Sequence, residues 1–549
     1  MVNQSFKAVL RKHLSLWLAL LCGLISLGVY LRALAPNIVF GDTPELSVAS
    51  YQLGVAHPTG YPFYTLLGNL FQHLVKIGSI AYRMNLFSAL VGAMTTSLLF
   101  LLLLRVTHSR VASAFAALLF AFTPTFWSQA VIAEVYALHL LFVVATLFCL
   151  LRWDRRGEKN WLRGAAFVYG LSFTHHITTA LLLPGLLAFA LTSRHKKQLL
   201  GELRWTLPLF LAPLLLYLYL PWAAYHDAPW NWGDVRSWDQ FLAHVTGRHS
   251  PEFQGAGSWK RVWHNVVEYG GWPVEDVNPG YAMTQYSPSL LWLAPWGLYG
   301  LFRRQRRFLA LTLLVYLTNM AWAFNHRLPN GEVFYLPAHL MVALWMGDGL
   351  RQGAYTLLRF WKRIRVPRKS QRRLQATLAL AACGVPFTLV AMNWTTMDKH
   401  KERKAIAFGH ALLGSLKPNA LLICTGETWV FPAIYTHYVE KRRPDVLILP
   451  VQDAIRPSNT RLMTRLAAHG LTVRLPEAYS QASTQQFDYR LLANVIADNQ
   501  PKRPVYLVGP GMAQLAQFPE LRGVISRLSP IAGQEPVFEV VIKRETVSR

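Results

Sequence analysis

Long apolar stretches alternate with short polar segments along the first 393 residues of this chain. A helix needs about 20 apolar residues to cross a bilayer, because every backbone polar group must be satisfied within the protein there. The pattern predicts about eleven such spans. They lie near residues 14–34, 86–104, 111–126, 133–151, 161–177, 178–193, 205–221, 289–302, 308–324, 335–350 and 374–393. The stretches 161–177 and 178–193 are short enough to form a re-entrant pair or a tight hairpin instead.

The pattern changes after Trp394. Short apolar runs of strand type alternate there with helical stretches, which is typical of an α/β domain with a mostly parallel sheet. The predicted strands are 420–427, 445–451, 471–476 and 505–509, and the predicted helices are 428–443, 458–469 and 486–498. We therefore expect a polytopic α-helical membrane protein with a C-terminal soluble α/β domain. The membrane domain would cover 1–393, with outside loops at 36–85 and 222–288, and the α/β domain 394–549.

The distribution of charge adds an orientation. The chain carries 55 Lys and Arg against 28 Asp and Glu, a formal charge of +27. The basic residues cluster in short runs between apolar segments, such as 303–307, rather than along one face, which argues against nucleic-acid binding. On the positive-inside rule these runs and the N-terminus are cytoplasmic, and an odd number of spans places the C-terminal domain outside. The first apolar run is too long for a removed signal peptide, so we expect a retained helix.

The loop after the first predicted span carries acids and a histidine in an otherwise apolar region. Residues 41–60 have the sequence GDTPELSVASYQLGVAHPTG, with Asp42, Glu45 and His57, and Arg83 follows near the end of the loop. The start of this segment also fits a helix N-terminus, with Asp42 or Thr43 as the cap and Glu45 three residues after Asp42. Either acid could therefore be structural. As a set, carboxylates with Arg and His can accept a hydroxyl proton and hold a phosphate.

Further polar residues are predicted on the same side of the membrane. They are Glu134 and Tyr136 at the start of the fourth span, His175 and His176 at the end of the fifth, and Arg327 just outside the tenth. Ionisable residues near spans are costly and often functional, although each taken singly also fits an interfacial anchor or a paired structural charge. The sequence has no Walker-type loop, no HExxH motif and no GxSxG elbow. It also shows no dedicated cluster of metal ligands, so a divalent metal lacks support.

The segment that begins at Asp42 resembles a membrane-protein family long described as domain of unknown function 2723. That family includes the protein O-mannosyltransferase known as transmembrane protein 260. Its pattern is an acid, a Glu three residues on, then Gly-x-x-His-Pro-x-Gly-x-Pro and Arg-x-Asn. This chain supplies Asp42, Glu45, Gly54, His57, Pro58, Gly60, Pro62, Arg83 and Asn85 in those places. The stretch FWSQAVIAEVYALH at 126–139, which contains Glu134, is also similar to the family.

The resemblance implies a glycosyltransferase of the GT-C class, whose members use a sugar carried on a polyprenyl phosphate. It implies a catalytic carboxylate in the first outside loop and inversion at the anomeric carbon. On this basis we expect Asp42 to be the base, with Glu45 or Glu134 orienting the sugar or the acceptor, and the choice between Asp42 and Glu45 stays open. The candidates for the lipid phosphate are His57, Arg83 and Arg327, and those for sugar or acceptor contacts are Tyr61, Tyr136 and His175.

The expected partners are a lipid-linked sugar donor, the bilayer, and an acceptor hydroxyl on a protein Ser or Thr or on a glycolipid. The sugar would be mannose or another hexose, and the sequence identifies no further cofactor. We expect the chain in a bacterial inner membrane, with the C-terminal domain in the periplasm. One alternative is a transporter or flippase for a lipid-linked or small polar substrate, although no two halves of the chain match as inverted repeats. Another is a non-catalytic membrane scaffold.

Overall fold

The computed structural model describes residues 2–226, 228–248, 258–270, 285–325, 331–450, 467–468, 470–472, 489–509, 525–530 and 537–542. The chain packs into two compact units, each assembled from separated segments. The first unit comprises Met1–Leu34, Asn85–Leu216 and Ser250–His400. The second unit comprises Ala35–Met84, Tyr217–His249 and Lys401–Arg549.

Helices form most of the described structure. Before residue 230 they are α1 (Val2–Ala33), α2 (Thr43–Gln52), α3 (Pro62–Leu74), α4 (Ile80–Thr107), α5 (Arg110–Ala121), α6 (Pro124–Ala130), α7 (Tyr136–Arg156), α8 (Lys159–Phe173), α9 (Leu183–Leu191), α10 (Lys197–Leu211) and α11 (Tyr219–Tyr225). After it they are α12 (Trp238–Thr246), α13 (Trp259–Gly270), α14 (Pro288–Leu291), α15 (Leu293–Arg304), α16 (Arg306–Phe324), α17 (Leu336–Arg363), α18 (Arg368–Met397), α19 (Lys404–Ser415), α20 (Glu427–Ile434) and α21 (Tyr489–Asn499). Short 3₁₀ segments at Ile177–Leu182, Ala212–Leu218 and Gly331–Tyr335, and a π-helical turn at Tyr435–Val439, adjoin these helices.

The described residues contain fewer long apolar helices than the eleven that the sequence predicts. Seven are long and apolar enough to cross a bilayer, and α5 with α6, which are bent by 69° against each other, would make an eighth. The predictions at 161–177, 178–193 and 289–302 fall on helices that are too short to cross alone. Helix α8 has 15 residues and α15 has 12, and Ile177–Leu191 is also a short apolar helix. The sequence-based count is higher because hydropathy follows apolar length and does not show where a helix ends.

Glycines bring α15 and α17 together in the first unit. A Cβ atom on Gly297 would lie 1.8 Å from a backbone oxygen of α17, and one on Gly349 would lie 1.9 Å from a backbone oxygen of α15. Any other residue would push the two backbones apart. At the same interface, the Arg304 guanidinium on α15 lies 2.5 and 2.6 Å from the two carboxylate oxygens of Asp348, which is fully buried on α17. The ion pair thus offsets the free-energy cost of burying the Asp348 carboxylate.

A five-stranded sheet forms part of the second unit. Its strands are β1 (Leu421–Cys424), β2 (Leu447–Pro450), β3 (Val505–Val508), β4 (Ile525–Pro530) and β5 (Val537–Ile542). The order is β2-β1-β3-β5-β4, with β1 parallel to β2 and β3, and β5 antiparallel to β3 and β4. All four residues of β1 are buried, as expected for a strand inside a parallel sheet.

Three of the four predicted strands are present as β1, β2 and β3, and two of the three predicted helices as α20 with the π turn, and α21. The antiparallel strands β4 and β5 are additional to the predicted strands. Most of the predicted strand 471–476 and of the predicted helix 458–469 lies outside the described residues.

In the second unit, the first predicted loop packs against C-terminal segments. Helix α2 lies against α20 and the π turn. The side-chain amide of Gln52 donates to the Tyr438 carbonyl at 3.1 Å, and the Tyr435 hydroxyl accepts from the Ala81 N–H at 3.2 Å. The loop at 36–85 therefore folds together with residues that follow 400. The domain boundary at residue 394 stays a prediction, because compactness alone does not define a membrane domain.

Candidate active site

Helix α2 begins at Thr43, directly after Asp42. The backbone carbonyl of Asp42 accepts from the Leu46 N–H at 2.8 Å, but its side chain caps no backbone N–H of the helix. Pro44 occupies the first turn, where its missing N–H costs nothing. The Asp42 side chain therefore does not have the capping role that the sequence pattern allowed.

The side chain of Glu45 is fully buried, and three hydrogen bonds hold its two oxygens. Its Oε1 accepts from the backbone N–H of His57 and from the indole Nε1 of Trp230, both at 3.0 Å. Its Oε2 lies 3.0 Å from Nδ1 of His57. A buried carboxylate needs such donors, because its transfer out of water is costly. Glu45 thus fixes the position of His57 and presents no surface to an acceptor.

The imidazole of His57 joins this buried carboxylate to the more exposed part of the site. A carboxylate only accepts hydrogen bonds, so Nδ1 of His57 is the donor toward Glu45. The other ring nitrogen, Nε2, lies 3.2 Å from the hydroxyl of Tyr61 and 3.9 Å from Oδ2 of Asp42. One histidine therefore contacts both acids of the motif, on opposite sides of its ring.

The carboxylate of Asp42 is in a different environment from that of Glu45. Of its side chain, 37% is open to solvent, and no described residue donates a hydrogen bond to it. Burial raises the pKa of Asp42 above its ordinary value, a charged His57 opposes this rise, and the negative charge of Glu45 adds to it. Contact with solvent limits the rise. A carboxylate with a raised pKa and open access is suited to accept a proton.

Aromatic residues that the sequence analysis did not single out surround His57 on another side. The rings of Trp230 and Trp232 meet at 75° with centroids 5.9 Å apart, and both lie edge-on to Phe431, at 6.3 and 6.1 Å. Trp232 is also 6.1 Å from the ring of His57. The one signal for these residues was that the predicted loop 222–288 is rich in Trp, His and Gly.

The segment 230–232, which contains both tryptophans and is called the tryptophan segment below, lies so close to the motif backbone that glycine is required there. The N–H of Val55 donates to the carbonyl of Trp230, and the N–H of Trp232 donates to the carbonyl of Val55, both at 3.1 Å. A Cβ atom on Gly54 would lie 2.3 Å from the carbonyl oxygen of Trp230. Gly60 has a φ of +85°, which favours glycine, and a Cβ there would lie 2.9 Å from a leucine side chain. The two backbones can therefore pair only if glycine stands at position 54.

Arg83 belongs to the same unit, and its guanidinium is bonded to the backbone. It donates to the carbonyl of Gln72 at 2.8 Å and to that of Gly78 at 3.4 Å. These bonds fix the connection between α3 and α4. Its assignment to a lipid phosphate stays a prediction.

Glu134, Tyr136 and His175 lie in the first unit. The backbone N–H of the residue before Glu134 donates to the amide oxygen of Asn85 at 2.7 Å. The backbone carbonyl of the residue after Glu134 accepts from Nε2 of His175 at 2.8 Å. The ring of Tyr136 packs 5.6 Å from that of His176. These contacts fix the backbone around Glu134, and the proposed roles of the three residues stay predictions.

The structure thus brings Asp42, Glu45, His57 and Tyr61 together in the second unit. Arg327 lies outside the described residues. Within the part of the chain that the structure describes, no group of three or more His, Cys, Asp and Glu side chains is arranged to hold a metal ion.

Comparison with known sequences identifies relatives of the chain. Residues 42–199 match the family model described as protein O-mannosyl-transferase TMEM260 N-terminal domain. The protein O-mannosyl-transferase TMEM260 of Mus musculus is 31% identical over 442 residues, which are 77% of this chain and 60% of the mouse protein. The corresponding protein of Dictyostelium discoideum is 21% identical over 532 residues, 88% of this chain and 62% of the relative. The chain therefore spans about three fifths of the length of these curated relatives.

Comparison with solved structures identifies the fold. ArnT from Cupriavidus metallidurans bound to undecaprenyl phosphate superimposes with a TM-score of 0.58 at 14% identity, covering 95% of this chain and 97% of that one. The apo state of the same protein gives a TM-score of 0.57 at 12% identity. At this identity the similarity shows the fold alone. It confirms the expected multi-pass α-helical membrane fold, which this chain shares with ArnT.

Proposed function

We propose that this chain, whose residues 42–199 match the model of the protein O-mannosyl-transferase TMEM260 N-terminal domain, is a membrane glycosyltransferase. The observation that carries the proposal is the contrast between two carboxylates three residues apart. Asp42 is partly open to solvent and receives no hydrogen bond from a described residue, whereas Glu45 is fully buried and accepts three. This contrast supports Asp42 as the base and Glu45 as the residue that positions His57.

The donor in this proposal is a hexose, such as mannose, on a polyprenyl phosphate. Support comes from the shared fold with ArnT, which was solved with undecaprenyl phosphate bound. The acceptor is a hydroxyl, on a protein Ser or Thr or on a glycolipid. Support for a protein acceptor comes from the mouse and Dictyostelium discoideum relatives, which are protein O-mannosyl-transferases.

The proposed reaction is a single displacement with inversion. The acceptor oxygen attacks the anomeric carbon on the face opposite the phosphate, and the new C–O bond forms as the bond from that carbon to the phosphate oxygen breaks. The hydroxyl proton passes to the carboxylate of Asp42, and the polyprenyl phosphate leaves with the bonding electron pair. General-base assistance of this kind contributes roughly 10²–10⁴ in rate.

The remaining site residues have proposed roles of two kinds. Positive groups stabilise the phosphate charge that develops as the bond to the sugar breaks. The proposed phosphate ligands are His57, Arg83 and Arg327, and the proposed sugar or acceptor contacts are Tyr61, Tyr136, His175 and Glu134.

The proposed location is a bacterial inner membrane, with a cytoplasmic N-terminus and the C-terminal α/β region in the periplasm. The basic runs at 152–163, 194–204 and 303–307 support this orientation through the positive-inside rule. The test is the accessibility of single cysteines, placed at the exposed positions Asp239 and Arg303, to a membrane-impermeant reagent in intact cells. Labelling at Asp239 alone supports the orientation, and labelling at Arg303 alone contradicts it.

A transfer assay tests the activity. Full-length protein in vesicles is given a radiolabelled polyprenyl-phosphate hexose with either a Ser/Thr-rich acceptor protein or a glycolipid fraction. We expect label on one acceptor class with wild type, and a loss of roughly 10²–10⁴ in kcat with Asp42→Asn. The matched control is Asp239→Asn, because Asp239 belongs to the same unit and its side chain is 78% exposed. This control should transfer at the wild-type rate.

Two outcomes would contradict the proposal. Full activity in Asp42→Asn would exclude this residue as the base. Movement of the labelled lipid across the vesicle membrane, without transfer to either acceptor, would support the transporter alternative.

A further inference from the structure

An apolar groove of about 310 Å³ lies among α7, α8, α9 and α10 of the first unit. Each of the four helices contributes apolar side chains to it, for example Leu150, Leu162, Leu186 and Leu203. The side chains of Leu187, Leu203 and Leu207 line the groove and are still 48–50% exposed. The groove therefore opens along its side, where a transmembrane helix such as Lys197–Tyr225 would face lipid.

The length of the groove matches one leaflet of a bilayer. On α10 its lining runs from Leu199 to Phe210. At about 1.5 Å per residue these positions are roughly 16 Å apart along the helix axis. Half of the hydrocarbon core of a bilayer is about 15 Å thick. A single extended acyl chain of one leaflet therefore fits this groove in length and in polarity.

One end of the groove meets a strongly basic part of the chain. Helix α7 ends at Arg156, α8 begins at Lys159 and α10 begins at Lys197, close to the lining residues Leu162 and Leu199. The adjoining segments 152–163 and 194–204 together hold nine Lys and Arg against three Asp and Glu. The end of the groove thus carries the positive charge that would attract an anionic head group.

The side chains at this end form an ordered positive surface. Glu202 has only 4% of its side chain exposed and is paired with both Lys159 and Arg163, each at 2.8 Å, which leaves one positive charge in excess. The guanidinium groups of Arg163 and Arg204 lie 5.3 and 5.8 Å from the ring centre of Trp205. Tryptophan is enriched at the membrane–water boundary. Side chains on a helix point toward its N-terminus, so those of Arg204 and Trp205 extend toward the Leu199 end of the groove, where the lipid head group would lie.

We propose that this groove binds an anionic phospholipid, with one acyl chain along α10 and the phosphate at the Leu199 end of the groove, within reach of the Arg163 and Arg204 side chains. The lipid comes from the leaflet that faces the basic loops, which is the cytoplasmic leaflet on the positive-inside rule. This site is independent of the proposed transfer reaction, because it uses none of the residues assigned to that reaction.

Native mass spectrometry of the full-length protein tests the proposal. The protein is exchanged into detergent with phosphatidylglycerol or phosphatidylethanolamine of identical acyl chains, and the retained lipid is counted. We expect one phosphatidylglycerol to be retained in preference to phosphatidylethanolamine. Arg204→Gln removes one positive charge near the lipid head group, which corresponds to about a fivefold change in affinity. It should therefore reduce the retention of phosphatidylglycerol by about that factor. The matched control is Arg303→Gln, at an exposed arginine near the end of α15.

A second variant tests the chain-binding part of the groove. Ala166→Phe fills the groove from α8, and its matched control, Ala321→Phe, adds the same side chain at an exposed position of α16. The Ala166→Phe variant should no longer retain the lipid, whereas the Ala321→Phe variant should retain it. Size-exclusion profiles identify any variant that misfolds, and Arg204→Gln remains informative in that case because it changes no packing inside the groove.

Three results would overturn the inference. If wild type retains both phospholipids equally and Arg204→Gln does not change this, the head-group site does not exist. Displacement of phosphatidylglycerol by polyprenyl phosphate at equal concentration would assign the groove to the lipid of the transfer reaction instead. A change of oligomeric state in Ala166→Phe, with lipid retention unaltered, would make the groove an interface between copies of the chain.

Discussion

Nδ1 of His57 lies 3.0 Å from Oε2 of Glu45, and the other oxygen of the same carboxylate accepts from the His57 backbone N–H at 3.0 Å. One buried side chain thus holds both the backbone and the ring of a residue twelve positions away in the sequence. This double attachment sets the direction of Nε2, which lies 3.9 Å from Asp42. The acid–x–x–Glu spacing of the motif therefore places one carboxylate on each side of a single imidazole.

The first prediction concerns the stability of a Glu45→Gln variant. Its amide would bring two N–H groups to a fully buried position where three donors already point at the carboxylate, so at least one N–H, of the amide or of these donors, would be left without an acceptor. We expect a loss of about 1–3 kcal/mol in the free energy of unfolding. Thermal unfolding in detergent, followed by tryptophan fluorescence, measures the change.

The matched control for Glu45→Gln is Asp239→Asn in the same unit, with 78% of the side chain exposed. Its melting temperature should equal that of wild type. A Glu45→Gln variant as stable as this control would contradict the role assigned to Glu45.

The second prediction isolates the indole donor. Trp230→Phe keeps most of the aromatic surface and removes the N–H that lies 3.0 Å from Oε1 of Glu45. The buried carboxylate then loses one of its donors at a cost of about 1–3 kcal/mol. We expect a lower melting temperature and a lower kcat, because Glu45 and His57 become less firmly placed.

The matched control for Trp230→Phe is Trp238→Phe, at an indole that is 71% exposed and stacked on Phe241. Both variants are compared in thermal unfolding and in the transfer assay. If they behave alike, the hydrogen bond from Trp230 does not support the site.

The third prediction tests the backbone pairing that joins the motif to the tryptophan segment. A Gly54→Ala variant would place its Cβ atom 2.3 Å from the carbonyl oxygen of Trp230, so the two backbones would have to separate. We expect a marked loss of stability and of transfer activity. The matched control is Gly414→Ala in α19, where a Cβ would meet no atom within 4 Å. Alanine favours a helix over glycine by up to about 1 kcal/mol, so this control should be at least as stable as wild type.

The fourth prediction concerns pH. Burial raises the pKa of Asp42 above its ordinary value of 3.8, so kcat/KM should fall on the acid side as pH drops through this raised pKa and the base becomes protonated. Stability should respond in the opposite sense. A carboxyl whose folded-state pKa is raised adds stability below its unfolded pKa, and this contribution is lost as pH rises through the folded value.

The measurement is the pH profile of kcat/KM from about pH 4 to pH 8, together with the melting temperatures of wild type and Asp42→Asn. On this linkage Asp42→Asn should be at least as stable as wild type at neutral pH. A clear loss of stability in Asp42→Asn at neutral pH would mean that the carboxylate has a structural partner.

The sequence by itself determined the class of the protein and most of its helices. A bilayer-spanning helix must be apolar over its whole length, so the signal for such a helix is local and visible in the chain, as in 86–104 and 374–393. The same holds for the buried strands β1, β2 and β3, whose apolar runs need no knowledge of their neighbours. The end of a helix inside an apolar stretch leaves no such signal, and for this reason hydropathy predicts spans where the short helices α8 and α15 lie.

The sequence also indicated which residues of the first loop matter, but it did not separate their roles. Asp42 and Glu45 are equivalent in a pattern of acids, and only the tertiary structure buries one and leaves the other open to solvent. That difference depends on Trp230, which is 185 residues from Glu45 in the chain and donates to it across the fold. A contact between residues so far apart in the chain cannot be recognised from the local sequence, because the burial and hydrogen bonding of a carboxylate depend on the residues that pack around it. The choice between the two acids therefore came from packing, whereas the presence of both came from the sequence.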